Sequence, residues 1–191
     1  MRAMDLMEEL RLEVADCVRC PELAGNRKQI VFGDGTAEAE VMFVGEAPGK
    51  DEDEQGVPFV GQAGQLMNSA MKQVGIPRSM VYIANVLKCH PPGNRDPLPE
   101  EIENCRTFLA AQIALIRPRI ICPLGRFGLQ QLVKKDMKIS EVHGRALRRK
   151  DGTIFFPMYH PAAALHQGSL RQAILTDFKK LAKLLKREGI L

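Results

Sequence analysis

No stretch of the 191-residue chain is apolar for long enough to cross a membrane. The first residues, MRAMDLMEEL, carry acids where a secretory leader needs a basic and then an apolar segment. A cytoplasmic protein without a membrane partner is expected. Nucleotide signatures are missing too. G-x-G-x-x-G does not occur, and the nearest approach to a P-loop fails: Gly45 and Gly49 enclose three residues, and Lys50 is followed by Asp51. Without internal repeats, low-complexity tracts or a linker, residues 1–191 read as a single domain. The odd count of five cysteines argues against a disulfide framework and for thiols or metal ligands.

What is present is a globular composition, 45% hydrophobic and 26% charged. The net charge of +4 is compatible with a nucleic-acid partner but does not require one. Apolar periodicity predicts a helix from about Asp5 to Cys17 and another from Gln62 to Val74, the latter ended by Gly75 and Pro77. A third begins at Pro99 with Glu100, Glu101 and Glu103 in its first turn, and a last one follows a Ser169/Gln172 capping box. Buried strands are predicted at Val41–Val44, Met80–Leu87, Arg119–Leu124 and Thr153–Tyr159. The basic segment KISEVHGRALRRKDG reads as an exposed hairpin or loop. Strands alternating with helices imply an α/β fold, a three-layer αβα sandwich around a four-stranded, mainly parallel sheet.

In such sheets ligands bind beyond the carboxyl ends of the strands. Three ends carry chemistry: Glu46 after the first strand, Asn85 ending the second, and His160 after the fourth. Gly45, Pro48 and Gly49 shape the turn that holds Glu46. Asp51, Asp53 and Glu54 read as a solvated acidic face. In GVPFVGQAG, one aromatic residue, Phe59, stands among glycines and small residues, a way of presenting a flat ring to a flat ligand. Cys17-x2-Cys20, with Cys89 and Cys105 downstream, supplies four thiolates, enough for tetrahedral zinc or an iron–sulfur cluster. Cys122, inside a strand, is expected only to pack.

The ordered blocks GEAPG (45–49), GVPFVGQAG (56–64), YIANVLKC (82–89) and YHPAAAL (159–165), together with the four cysteines, closely resemble the family 4 (UDGa type) uracil-DNA glycosylases. The resemblance covers nearly the whole chain. It implies excision of uracil from single- and double-stranded DNA, a 4Fe-4S cluster on Cys17, Cys20, Cys89 and Cys105, and a four-stranded parallel sheet between helices. It also implies a uracil pocket formed by Glu46, Ala47, Pro48, Glu52, Phe59, Asn85 and His160, in which Glu52 or its turn fills the space of the thymine methyl group. Leu165 would be the wedge entering the minor groove. Relatives that bind uracil DNA covalently carry a basic, His-bearing insertion after the Asn motif. The interval from Asn85 to Cys105 has none, so turnover is expected.

Cleavage of an N-glycosidic bond leaves positive charge on the sugar and negative charge on the departing base. His160 suits the uracil side as a donor to O2. Glu46 suits the sugar side, favouring the cation and orienting water. The wider superfamily often has its water-activating acid one position later, where this chain has Ala47. Lys88, Arg95, Arg126, Arg145, Arg148 and Arg149 could meet phosphates, and His90, His143 and His166 are expected at the surface or near DNA. A monomer needing no divalent metal or soluble cofactor is expected. Two other readings take up the cysteines: a cluster-bearing electron carrier or redox sensor, and a zinc-stapled nucleic-acid-binding module without glycosylase activity. The first leaves GEAPG, Phe59, Asn85 and the His-Pro turn idle; a colourless sample containing zinc but no iron would favour the second.

Overall fold

The computed structural model describes residues 3–191. In chain order the elements are α1 (Ala3–Ala15), α2 (Pro21–Asn26), β1 (Asp34–Gly35), β2 (Val41–Gly45), α3 (Lys50–Gln55), α4 (Gln62–Gln73) and β3 (Val81–Asn85). There follow α5 (Pro99–Ile116), β4 (Ile120–Pro123), α6 (Gly125–Leu132), α7 (Ile139–Val142), β5 (Leu147–Arg148), β6 (Ile154–Phe155), α8 (Ala163–His166) and α9 (Ser169–Arg187).

The sheet has the order β1-β3-β2-β4-β6-β5. Its inner four strands are parallel, in keeping with the expected α/β class, and a two-residue antiparallel strand is added at each edge. These additions are too short to show as alternation in sequence. One of them, β5, makes the second half of the basic 138–152 segment a hairpin with β6, while its first half forms α7.

Strand alternation sends successive β2 side chains into two separate cores. Val41 and Phe43 pack with Met67 and Met71 of α4 and with Ile174, Phe178 and Leu181 of α9. Met42 and Val44 join Met7 and Val14 of α1 and Ile102, Phe108 and Leu109 of α5. Helices therefore cover both faces, giving the three layers. β2, buried at all five positions, is the middle of the molecule.

Several local readings are corrected. Residues 50–55 form a helical turn, and Asp53 is not solvated: it is buried, and its carboxylate accepts the backbone N–H of Lys28 at 3.0 Å. Desolvation is offset by that amide and by the Gln29 N–H at 3.5 Å, which a solvated acidic face would not need. The last helix does begin at Ser169, but no side-chain cap bond forms there. The fourth strand shrinks to β6 because Pro157 interrupts it, and pairing resumes only as a bridge between Met158 and Leu124.

Phe178 is fully buried against Phe43, with ring centroids 6.0 Å apart. Phe178→Ala is expected to cost about 3–5 kcal/mol in urea unfolding. A loss under ~1 kcal/mol would mean that α9 does not anchor this face of the sheet.

Candidate active site and cysteine cavity

The carboxyl ends of the parallel strands open into a cleft of about 440 Å³. That volume suits one small, flat ligand and its attachment. Glu46, Ala47, Pro48, Glu52, Phe59, Asn85, His160 and Leu165 all line it, so every residue expected at the base site or as the wedge comes to one place.

Register explains the convergence. Gly45 lies opposite Asn85 in the parallel β2–β3 pair. A Cβ at Gly45 would collide with Asn85 Oδ1 and stand 2.7 Å from Phe59 Cζ. The carboxamide and the ring therefore meet over a position that only glycine leaves clear. Asn85 is 2% exposed, and its Oδ1 has no hydrogen-bond partner. A buried acceptor without a partner is costly, which fits an atom kept for a ligand donor.

Phe59 is buried yet lines the cleft, so packing and ligand contact coexist in one ring. Its backbone is left-handed, φ +55°. Gly64, opening α4, lets the helix approach closely, since a Cβ there would overlap the Phe59 carbonyl. The Phe59 and His160 ring centroids are 5.4 Å apart.

His160 follows the β6 extension, where Gly125, at φ +77°, leaves room for its Cβ. Its Nδ1 accepts the Ala162 N–H at 3.1 Å. Desolvation lowers its pKa to about 4, so at neutral pH the ring is uncharged, its proton rests on Nε2, and Nε2–H is a donor. Glu46 is half-buried, and its carbonyl accepts the Leu87 N–H, which ties its turn to the β3 extension. Burial raises its carboxyl to about 7, the nearby Asp96 adds to the rise, and Arg126 opposes it. Glu52 does not project freely into the cleft, because Oε1 accepts the N–H groups of Val60 and Gly61 at 2.9 and 2.8 Å. It braces the segment after Phe59.

Leu165 on α8 is 45% exposed at the cleft mouth, beside the exposed His166. Not all the expected phosphate contacts survive. Lys88 is 1% exposed, and its ammonium donates to Asn85 O at 3.0 Å and Gln112 Oε1 at 2.7 Å; burial lowers its pKa to about 8. It cannot reach a phosphate, and it supports the Asn85 strand end instead. Arg95, which lines the cleft, is held by Glu22 and Glu101, and Arg148 by Glu188, whereas Arg126 pairs with Asp96 across exposed side chains. Arg145 is exposed, and Arg149 lies 3.6 Å from Asp151. His143 is half-buried and already partnered: Nδ1 lies 2.8 Å from buried Asp177, and its ring packs on Tyr159. His90 is committed to Asn94, 2.8 Å away.

Cys17, Cys20, Cys89 and Cys105 line a second cavity, between α1, α2 and α5, together with apolar Val14, Leu23, Ile30 and Phe108. Arg27 donates to Cys89 Sγ and Asn104 to Cys20 Sγ, each at 3.6 Å. Burial raises the thiols of Cys20, Cys89 and Cys105, Cys89 to about 11. Among the described residues no three His, Cys, Asp or Glu side chains are set to hold a single metal ion. Cys122 is buried in β4, away from this cavity, as expected for a packing residue.

One functional residue was missed in the sequence. Arg78, in the short turn before β3, donates to the carbonyls of Pro58 and Phe59. No motif marks it, since it acts on backbone carbonyls about twenty residues away.

A parallel α/β sheet whose strand ends gather an aromatic ring, an unsatisfied carboxamide, a neutral imidazole and a carboxyl around one cleft is the framework of an enzyme for a flat, polar ring. The chain belongs to the Uracil DNA glycosylase superfamily, which it matches over residues 32–186. It is 43% identical over 189 residues to the Type-4 uracil-DNA glycosylase of Sulfurisphaera tokodaii, spanning 95% of this chain and 86% of that protein. Identity is 42% to the Type-4 enzymes of Archaeoglobus fulgidus (95% of this chain, 94% of that protein) and Thermotoga maritima (97% of each).

The raised Glu46 pKa has a consequence for stability. Its folded-state value lies above its ordinary 4.5, so its contribution is full below about 4.5 and is lost as pH rises through about 7. Glu46→Gln should therefore raise Tm above pH ~7 and change it little at pH ~4. Thermal unfolding across that range measures this, and equal shifts at both ends would contradict the buried-carboxylate account.

Proposed function

We propose that the chain, acting as one domain, is a uracil-DNA glycosylase that flips uracil out of DNA and hydrolyses its N-glycosidic bond, leaving an abasic site. The observation that carries this reading is the meeting of Phe59 and Asn85 over Gly45 beside His160, in a chain nearly coextensive with Type-4 enzymes. Among the described residues no helix is long and apolar enough to cross a membrane, and the proposed setting is intracellular, on chromosomal DNA. We take the protein to act as a monomer on single- and double-stranded DNA.

Extrusion of a base costs a few kcal/mol, which a fitted pocket must repay. Phe59 stacks on the ring. The unpartnered Asn85 Oδ1 accepts the uracil N3–H, and its amide nitrogen donates to O4. Cytosine presents the reverse pattern at that edge and is rejected. Thymine adds a methyl group, and the turn of Ala47 and Pro48, backed by Glu52 and the 60–61 amides it holds, leaves it no room. Leu165 enters the base stack from the cleft mouth and fills the vacated space.

As the bond to the sugar breaks, neutral His160 donates Nε2–H to uracil O2, where negative charge gathers. Glu46, ionised, faces the sugar cation and accepts a proton from the attacking water. Burial favours the neutral form of both groups: it keeps His160 an uncharged donor at neutral pH, whereas Glu46 becomes the carboxylate its role needs only as pH rises through about 7.

The four-cysteine cavity fits a 4Fe-4S cluster. Its four thiols line one space with an apolar wall and N–H donors to two sulfurs, and four thiolates are the ligand set such a cluster takes. When bound, the cluster supplies a cross-link between the N-terminal helices, the loop after β3 and α5.

Excision from a uracil oligonucleotide, with thymine as control, tests the function. Uracil-specific abasic product is expected, and its absence would overturn the reading. His160→Ala and Glu46→Ala should each lower the single-turnover rate about 10²–10³-fold with little change in DNA affinity. Because Glu46 works as the carboxylate, the wild-type rate should rise with pH through about 7. A pH-independent rate across neutrality would move water activation away from Glu46.

Alanine at Cys17, Cys20, Cys89 or Cys105 should lower iron content and solubility, whereas Cys122→Ala should keep its iron. Iron analysis and visible absorption decide this, and a fully loaded Cys105→Ala protein would contradict the ligand set.

A further inference from the structure

Arg78 has a more specific task than packing. All five of its N–H groups are engaged: Nε and Nη2 on Asp34 Oδ2 at 3.3 and 3.1 Å, Nη1 on Asn68 Oδ1 and Phe59 O at 2.9 and 3.2 Å, and Nη2 on Pro58 O at 2.7 Å. A guanidinium so committed has no donor left for a DNA phosphate. Two of its bonds go to the successive carbonyls of Pro58 and Phe59, which belong to the two peptide units flanking the Phe59 Cα. Those carbonyls lie in a turn that is strained, because Phe59 is a bulky residue at φ +55°. Asp34, on the edge strand, and Asn68, on α4, orient the guanidinium from two sides.

We propose that Arg78 is the positioning residue that holds Phe59 as a preformed stacking platform, and that it couples this platform to Asn85. The coupling is covalent and short: Arg78 opens the turn Arg78–Met80 that leads into β3, and β3 ends at Asn85. One segment thus places the residue that reads the uracil edge at one end and fixes the ring that stacks on its face at the other. Lysine could not substitute, since a point charge on a flexible stem cannot hold two carbonyls, an amide oxygen and a carboxylate in one plane. The inference rests on the base-stacking reading above and extends it to the residue that makes stacking possible without reorganisation.

The test is a double-mutant cycle read by the inhibition constant of free uracil and by kcat/KM on a uracil oligonucleotide, with Tm followed in parallel. Base–aromatic stacking is worth roughly ten-fold or more in affinity. Arg78→Met and Arg78→Lys should each weaken uracil about ten-fold, approaching the effect of Phe59→Ala. In the Phe59→Ala background the same changes should add less than about two-fold, because the platform they position is already gone. Should Arg78→Met fail to fold, Arg78→Lys carries the same comparison. Full additivity with Phe59→Ala, or unchanged uracil affinity in either Arg78 variant, would overturn the inference while leaving the glycosylase reading intact. Unchanged uracil affinity in Phe59→Ala itself would instead overturn the stacking role, and this inference with it.

Discussion

The parallel pairing of β2 with β3, in the register that sets Gly45 against Asn85, is the constraint on which the site depends. Slipping it by one residue would turn every side chain of one strand to the opposite face. Asn85 would then lose both its place over the glycine and its meeting with Phe59. The buried alternation of β2 between two apolar cores opposes such a slip, since Phe43 and Met42 would exchange surroundings built from different side chains. The geometry of recognition is thus guarded by the hydrophobic interior.

Around this register the protein spends polar groups where a core usually has few. Lys88, Gln112 and Tyr82 form a buried chain of hydrogen bonds that ends on the Asn85 and Phe32 carbonyls. An isolated buried ammonium is costly, but one donating to two oxygens in a satisfied network fixes the backbone it touches. Its neighbour Cys89 faces the cysteine cavity. The recognition strand end therefore lies between a polar network and the wall of the cysteine cavity.

The two candidate catalytic groups show how one cleft can tune opposite chemistries. Burial removes charge from His160 and leaves a neutral donor, with the Ala162 amide fixing which nitrogen holds the proton. The same burial raises Glu46 into the neutral range. The price is a carboxylate that weakens the fold at the pH where it would be most useful to catalysis, the usual tension between stability and a working site.

The sequence by itself determined the α/β class, the four buried strands, the cleft residues Glu46, Phe59, Asn85 and His160, and the grouping of four cysteines, because these features are local: apolar runs, glycine turns and short motifs. It could not reveal that Asp53 turns inward to hold the Lys28 amide, that Lys88 is buried rather than facing DNA, or that His143 pairs with Asp177. Nor could it identify Arg78 as the clamp on Phe59. Charge and type are properties of a residue, whereas burial and partnership depend on segments that are distant in sequence. Only the tertiary structure brings those segments together, and it alone decides whether a basic side chain meets solvent, a phosphate or a backbone carbonyl.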